Sequence, residues 1–434
     1  MTTRRRDDPL DRPSNKRTKR LGGGPYFPIR DQRLFTYLGT FMATTDLAQF
    51  WECSRALHSM VIPSLVPRVK WGPEVFNWGQ SPARRHMLTL VKCLDTGDFE
   101  RPLQPGMLPP TLEQLTFGEY FDHPLAVGTL PTSLTQLTFG VHFDQPVSTG
   151  VLPPRLVHLT FGSQFNRPLS PGVLTANLTQ LTFCWEFDQP LVPGALPWGL
   201  TRLTFGHRFN QRLTAGVLPP NLTHLEFGET FDQPLVADTF PMSLTDLTFG
   251  HRFNQNLAIG VLPVNLTDLR FGHSFNCPLS TTGALPAGLT TLVFGHCFNQ
   301  ALTVPMGLAN LTFGVSFNQP LVPGIFPPNL VHLTFGYCFN QALGPGTFPP
   351  SLEQLIFGYF FNQTLTQDVL PVKLTQLTFG WRFNQPLAIG VLPPHLTHLT
   401  FGDKFNQSLQ MVVVPDSPIK VTVGKYFNDG RPRR

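Results

Sequence analysis

Charge is scarce in this chain: Asp, Glu, Lys and Arg make up 14% of 434 residues. The net excess of positive charge sits in the first twenty residues, around Arg4-Arg5-Arg6 and Lys16-Arg17-Thr18-Lys19-Arg20. The remainder is balanced and carries no basic stripe, which argues against nucleic acid as a partner. Cysteine is also sparse. Six copies form no C-x-x-C pair and no metal-ligand spacing. Cys297 and Cys338 share a repeat column two coils apart, about 9–10 Å, too far for a disulfide. Reduced thiols in an intracellular protein are expected. No apolar run reaches the roughly 18–20 residues of a membrane span, so no membrane partner is expected. No apolar segment of signal-peptide type follows the basic start, so an intracellular, cytoplasmic protein is expected. The basic head reads either as a nuclear-import signal or as a disordered solubilising tail. No nucleophile–base arrangement, phosphate loop or metal motif stands out. We therefore expect no enzyme, no cofactor and no bound metal; an enzyme would need a pocket near residues 280–310.

What is abundant is Phe, Pro and Gly, with 39, 44 and 37 copies. They recur in register. A Leu-x-Phe-Gly element or close variant returns almost always after 22 residues, from Phe117 to Phe401. A fixed short period means stacked coils that bury their apolar faces against neighbours. In the coil from Leu374, Leu377 and Phe379 alternate with polar residues as a half-buried strand. Gly380 ends the strand with a backbone angle that other residues avoid. Phe383 and Leu387 point inward, Gly390 turns the chain, and Leu392-Pro393-Pro394 runs extended into the next strand. The expected fold is a mainly β solenoid of parallel strands. Phe271 to Phe294 spans 23 residues and Phe294 to Phe313 only 19, so a kink or altered curvature is expected near 280–310.

Asn384 heads a column that reads Asn or Asp in every coil. The acceptor oxygen common to both satisfies backbone N–H groups of a tight bend. One acid per coil, interchangeable with Asn, is no acid–base pair. Six Asn-x-Ser/Thr triplets, Asn177 and Asn406 among them, are by-products of the consensus.

Between coils, the two positions after the strand-end glycine vary most and are rich in Trp, Tyr, His and Arg, the residues of binding hot spots. The partner-binding candidates are Tyr120, Trp185, Arg208, Arg252, His273, Tyr337, Tyr359, Trp381 and Arg382. The outward strand position, from Gln114 through Arg202 and Asp246 to His398, adds a second row. Either the two rows form one binding face, or they are a drifted, solvated edge. His251, His273 and His296 share a column, but no fourth ligand accompanies them, so no metal site is assigned.

Residues 25–75 lack the repeat. Leu34, Phe35, Leu38 and Phe41 follow a helical spacing. Thr44 or Thr45 caps a second helix that continues through Leu47 and Trp51. The domains read as a disordered basic tail (1–24), a small helical module (25–75), a connector or cap (76–94), the solenoid (95–428) and a basic C-terminal tail (429–434).

The repeat Leu-Thr-x-Leu-Thr-Phe-Gly-x-x-Phe-Asn-Gln-Pro-Leu resembles the FNIP repeat, grouped with leucine-rich repeats. That resemblance implies a curved solenoid with strands on its concave side. The Asn falls two residues later than in the usual leucine-rich pattern, so the Asn ladder of that pattern is not carried over. The leading segment, with Phe27-Pro28, Leu34, Tyr37-Leu38, Asp46-Leu47, Cys53-Ser54-Arg55 and Trp71, resembles a degenerate F-box. This order is familiar from amoebae and their giant viruses. It implies a substrate-recognition adaptor of a cullin-RING ubiquitin ligase. Leu34, Leu38, Leu47 and Trp51 would dock the ligase adaptor and its cullin, and the solenoid would hold an unknown target. The alternative is an interaction scaffold whose leading helices only cap the array.

Overall fold

The computed structural model describes residues 68–70, 91–97, 99–279, 283–408 and 419–427. The chain divides into two units, Met1–Pro63 and Ser64–Arg434, and every described residue belongs to the second. The F-box-like positions Leu34, Leu38, Leu47 and Trp51 and both basic tails lie outside the described residues.

Among the described residues there is no helix, and seventeen three-residue strands form one parallel sheet in which neighbours in sequence are neighbours in space. Register places like over like: Leu355 pairs with Leu377 and Leu377 with Leu399. The sheet begins before the repeat does. Arg68–Lys70, within the stretch expected to be helical, pairs with Cys93–Asp95, which in turn pairs with Gln114–Thr116. At the other end Lys420–Thr422 pairs with His398–Thr400.

The core is a zigzag of phenylalanines. Within a coil the two rings stack nearly parallel, with centroids 3.7–4.2 Å apart. Between coils the first Phe column repeats every 5.4–6.0 Å and the second every 6.0–6.3 Å. Parallel strands repeat every ~4.8 Å. Spacing therefore widens away from the strand: each coil is a wedge, and the strands line the inside of the bend, as the leucine-rich likeness implies.

The short coil leaves these columns intact. Phe294–Phe313 and Phe298–Phe317 are 5.8 and 6.2 Å apart, and Thr291 pairs in register with Asn310. The kink expected near 280–310 is absent from the ladder because the missing residues come from the side opposite the strand.

Two kinds of glycine do different work. Gly390 sits at φ 82°, and Asp238 and Asp368 take that column at φ 64° and 63°. Gly380 has no positive φ, which corrects the expectation of an unusual backbone angle there. A Cβ on Gly380 would lie 1.8 Å from the carbonyl oxygen of Gly358, so backbone packs directly on backbone. Cys184 alone departs from this column within the phenylalanine ladder, and the adjoining Phe183–Phe205 spacing opens to 6.0 Å. Half-burial of its thiol raises the Cys184 pKa.

The Asn/Asp column forms a ladder of its own kind. Each side-chain Oδ1 accepts the backbone N–H of the equivalent residue one coil later, from Asp122 accepting Asp144 at 2.9 Å to Asn384 accepting Asn406 at 2.8 Å. The N–H satisfied thus belongs to the next coil and not to the residue's own bend. Asp serves as well as Asn because only an acceptor is required.

Candidate functional site

The corner after the strand is built by a second hydrogen-bond ladder outside the sheet. The second residue after each glycine donates its N–H to the carbonyl of the first post-glycine residue one coil earlier. Arg382 to Tyr359 is 2.9 Å, Arg208 to Trp185 2.9 Å and Lys404 to Trp381 3.0 Å. Sequence variation here therefore rides on a regular backbone, and the side chains of successive coils stand in line.

The candidate residues gather into four clusters along this edge. Tyr120, 52% exposed, stacks on His142 at 5.1 Å. Trp185 stacks on His207 at 4.0 Å, His207 meets Glu229, and Arg208 pairs with Glu186 at 2.9 Å. Arg252 is exposed beside His251, which opens a stack of three imidazoles, His251–His273–His296, with 4.4 Å steps. Partial burial of His273 between its neighbours, and then their like charge, lowers its pKa from the ordinary 6.5. The rings lie face to face, so their in-plane lone pairs run side by side and do not converge on a cation. Among the described residues no group of three or more His, Cys, Asp or Glu is arranged to hold a metal.

The fourth cluster is the largest. Tyr337 stacks on Tyr359 at 4.4 Å and Tyr359 on Trp381 at 5.0 Å. Phe360 meets both tyrosines edge-on at 5.0 and 5.1 Å. The Arg382 guanidinium lies 4.5 Å from the Phe360 centroid, and the Lys404 ammonium 4.8 Å from Trp381. Each interior ring has its faces covered by neighbours or a cation. What remains for a partner is a ribbon of ring edges, tyrosine hydroxyls and cations. Bases that bind by stacking need open ring faces, so the ribbon suits a polypeptide better than a single strand of nucleic acid.

The outward strand row runs beside this edge. Its neighbours also link coil to coil: His332 to Asn310 at 2.6 Å, Gln354 to Gln376 at 3.1 Å and His224 to Asp246 at 3.4 Å. Sequence reasoning passed over a third row, the residue after Leu-Pro or Val-Pro, where Trp198 and Met306 are 75% and 72% exposed. The sequence carries the signal, since this position is apolar in every coil but that of Thr132. By itself the Leu-Pro-Pro pattern reads as an extended connector.

No membrane-crossing helix exists among the described residues. The FNIP repeat family model matches seven consecutive segments from residue 121 to residue 426, each about two coils long. Among solved structures, the chain is similar to the crystal structure of CroV588, described as a novel circular leucine-rich-repeat protein. Identity is 41% and the TM-score 0.73, over 78% of this chain and 54% of that one, so the chain spans about half its length. More distant are YopM from Yersinia enterocolitica (22% identity, TM-score 0.49, over 77% and 73% of the two chains) and the Drosophila Toll–Spatzle complex (14%, 0.42, over 79% and 52%). Comparison with curated proteins gives no match.

Proposed function

This chain belongs to the FNIP repeat family, and from that premise we propose that it is a nonenzymatic binding scaffold whose post-glycine edge and strand wall hold a partner protein. One observation carries the reading: consecutive coils present Tyr337, Tyr359, Trp381 and Arg382 as a continuous, partly exposed ribbon on an otherwise uniform array. Aromatic and Arg side chains dominate binding energy at protein interfaces. A hydrogen-bonded backbone beneath them lowers the ordering cost of binding.

The finer proposal is a substrate-recognition adaptor of a cullin-RING ubiquitin ligase, acting in the cytoplasm or nucleus. It rests on the F-box-like residues Leu34, Leu38, Leu47 and Trp51 preceding the array. The solenoid would then be the target-binding arm.

Affinity capture from amoebal lysate with the full chain tests both parts. Leu38→Asp with Trp51→Asp should release the ligase adaptor and cullin while keeping the target. Trp381→Ala with Arg382→Ala should do the reverse. If the intact chain retains neither adaptor nor cullin, the ligase reading is lost; if the edge substitutions leave all captured proteins in place, the edge is not the binding face.

A further inference from the structure

Beyond its basic head the chain is neutral, yet its charge is unevenly placed. Toward the first coils, charges meet their opposites: Arg167 pairs with Asp144, Arg208 with Glu186 and His207 with Glu229. Toward the last described coils they do not. Residues 369–408 and 419–427 hold the basic side chains of Lys373, Arg382, Lys404, Lys420 and Lys425 against a single acid, Asp403. Lys373 stands at the turn that leads into the strand. The other four share one side of the molecule. Arg382 and Lys404 hold the second post-glycine position, Lys425 the first of the next coil, and Lys420 extends the adjoining strand wall in register with His398.

All four are exposed. No ion pair among the described residues includes any of them. Asp403 offers little relief, because its Oδ1 accepts the backbone N–H of Lys425 at 3.0 Å. The edge cations lean on rings instead. The Arg382 guanidinium lies 4.5 Å from the Phe360 centroid and 6.0 Å from that of Tyr359. The Lys404 ammonium lies 4.8 Å from Trp381 and 5.5 Å from Tyr426, and the Lys425 ammonium 5.7 Å from the same Tyr426. A ring face attracts a cation without neutralising it. Two ammonium groups thus crowd one tyrosine with no counter-charge between them. Successive coils are ~5 Å apart at the backbone, inside the ~8 Å screening length of physiological salt. The fields of Arg382, Lys404 and Lys425 therefore add.

We propose that these coils bind an acidic segment of the partner protein, a run of Asp and Glu side chains laid along Arg382, Lys404 and Lys425. The inference rests on the post-glycine edge being the protein-binding face, and it adds the charge of what is bound there. Rings that hold the cations in place limit the side-chain freedom lost on binding. The guanidinium keeps the paired N–H donors that suit a carboxylate. A nucleic acid fits less well: the run of cations covers only three coils, whereas strong binding to a phosphate backbone needs many contacts, and the covered ring faces leave bases nowhere to stack.

Fluorescence anisotropy of the full chain tests this with a labelled twelve-residue peptide of alternating Glu and Ser. That peptide should bind, its Gln-for-Glu counterpart should bind about tenfold more weakly or worse, and added salt should weaken the first far more than the second. Lys404→Gln with Lys425→Gln should cost the Glu peptide about tenfold in affinity with an unchanged far-ultraviolet spectrum. Lys373→Gln, which removes a charge from the same coils at another corner, should not. Lys404→Glu with Lys425→Glu should exchange the preference, so that a Lys-for-Glu peptide rejected by the parent is bound. Indifference to Gln for Glu or to both lysine pairs overturns the proposal. So does tighter binding of a twelve-nucleotide thymidine strand, or of phosphatidylserine vesicles, than of the Glu peptide. Lysate capture keeps the two failures apart. Proteins released by Trp381→Ala with Arg382→Ala but retained by Lys404→Gln with Lys425→Gln leave the edge a binding face and refute its preference for acid; proteins retained by both pairs refute the edge itself.

Discussion

The side-chain oxygen of Asn362 accepts the backbone N–H of Asn384 at 2.8 Å, and Asn384 repeats the act for Asn406. The Gln385 amide donates to the Asn362 carbonyl at 3.1 Å alongside. These bonds cross from coil to coil on the side away from the sheet. They stitch the wide side of each wedge, where strand pairing cannot reach.

Replacing Asn362 with Leu should therefore orphan a partly buried N–H and cost about 1–3 kcal/mol. Asn362→Asp should cost under ~1 kcal/mol, since Asp already fills the column at 122, 144, 188 and 232. Urea denaturation of the two variants checks the contrast; equal losses would mean that the side chain's shape matters and its acceptor does not.

Gly380→Ala and Gly390→Asn should separate the two kinds of glycine. The first forces a methyl to 1.8 Å from a backbone oxygen and should cost about 3 kcal/mol or more. The second adopts the left-handed angle already used by Asp238 and Asp368 and should cost no more than about 1 kcal/mol. Melting midpoints in the same buffer decide it.

Phe383 is buried between Phe361 and Phe405, each 6.1 Å away, and on Phe379 at 3.8 Å. Phe383→Ala should destabilise by about 3–5 kcal/mol. Because each coil leans on its neighbours, hydrogen exchange should accelerate in the coils on both sides. Exchange confined to the mutated coil would count against a shared core.

His273 makes stability depend on pH in a definite direction. Its pKa is lowered in the folded chain, first by partial burial and then by His251 and His296. As pH falls through the ordinary value of 6.5, the unfolded chain takes up the proton first, so stability is lost from there down to the folded value. Above 6.5 the group has no effect. His273→Asn should flatten that part of the stability profile between pH 7.5 and 5 relative to the parent; an unchanged slope would assign it to other histidines.

Much of this was legible in the sequence because a repeat converts chain position into spatial position. The 22-residue period, the inward Leu and Phe columns and the strand at Leu377 follow from burying one apolar face against identical neighbours, which any stacked array must do. The variable post-glycine row was legible too, since packing does not dictate those residues. Tertiary structure decided what depends on contact between coils. Gly380 must be glycine because another backbone lies against it, and no single coil contains that backbone. The Asn oxygen reaches across to the next coil, and ring stacking turns Tyr337, Tyr359 and Trp381 from three variable positions into one ribbon. The residues lost from the short coil left the phenylalanine ladder unbroken and opened a groove on the flank, because the deletion removed a turn that the ladder never uses.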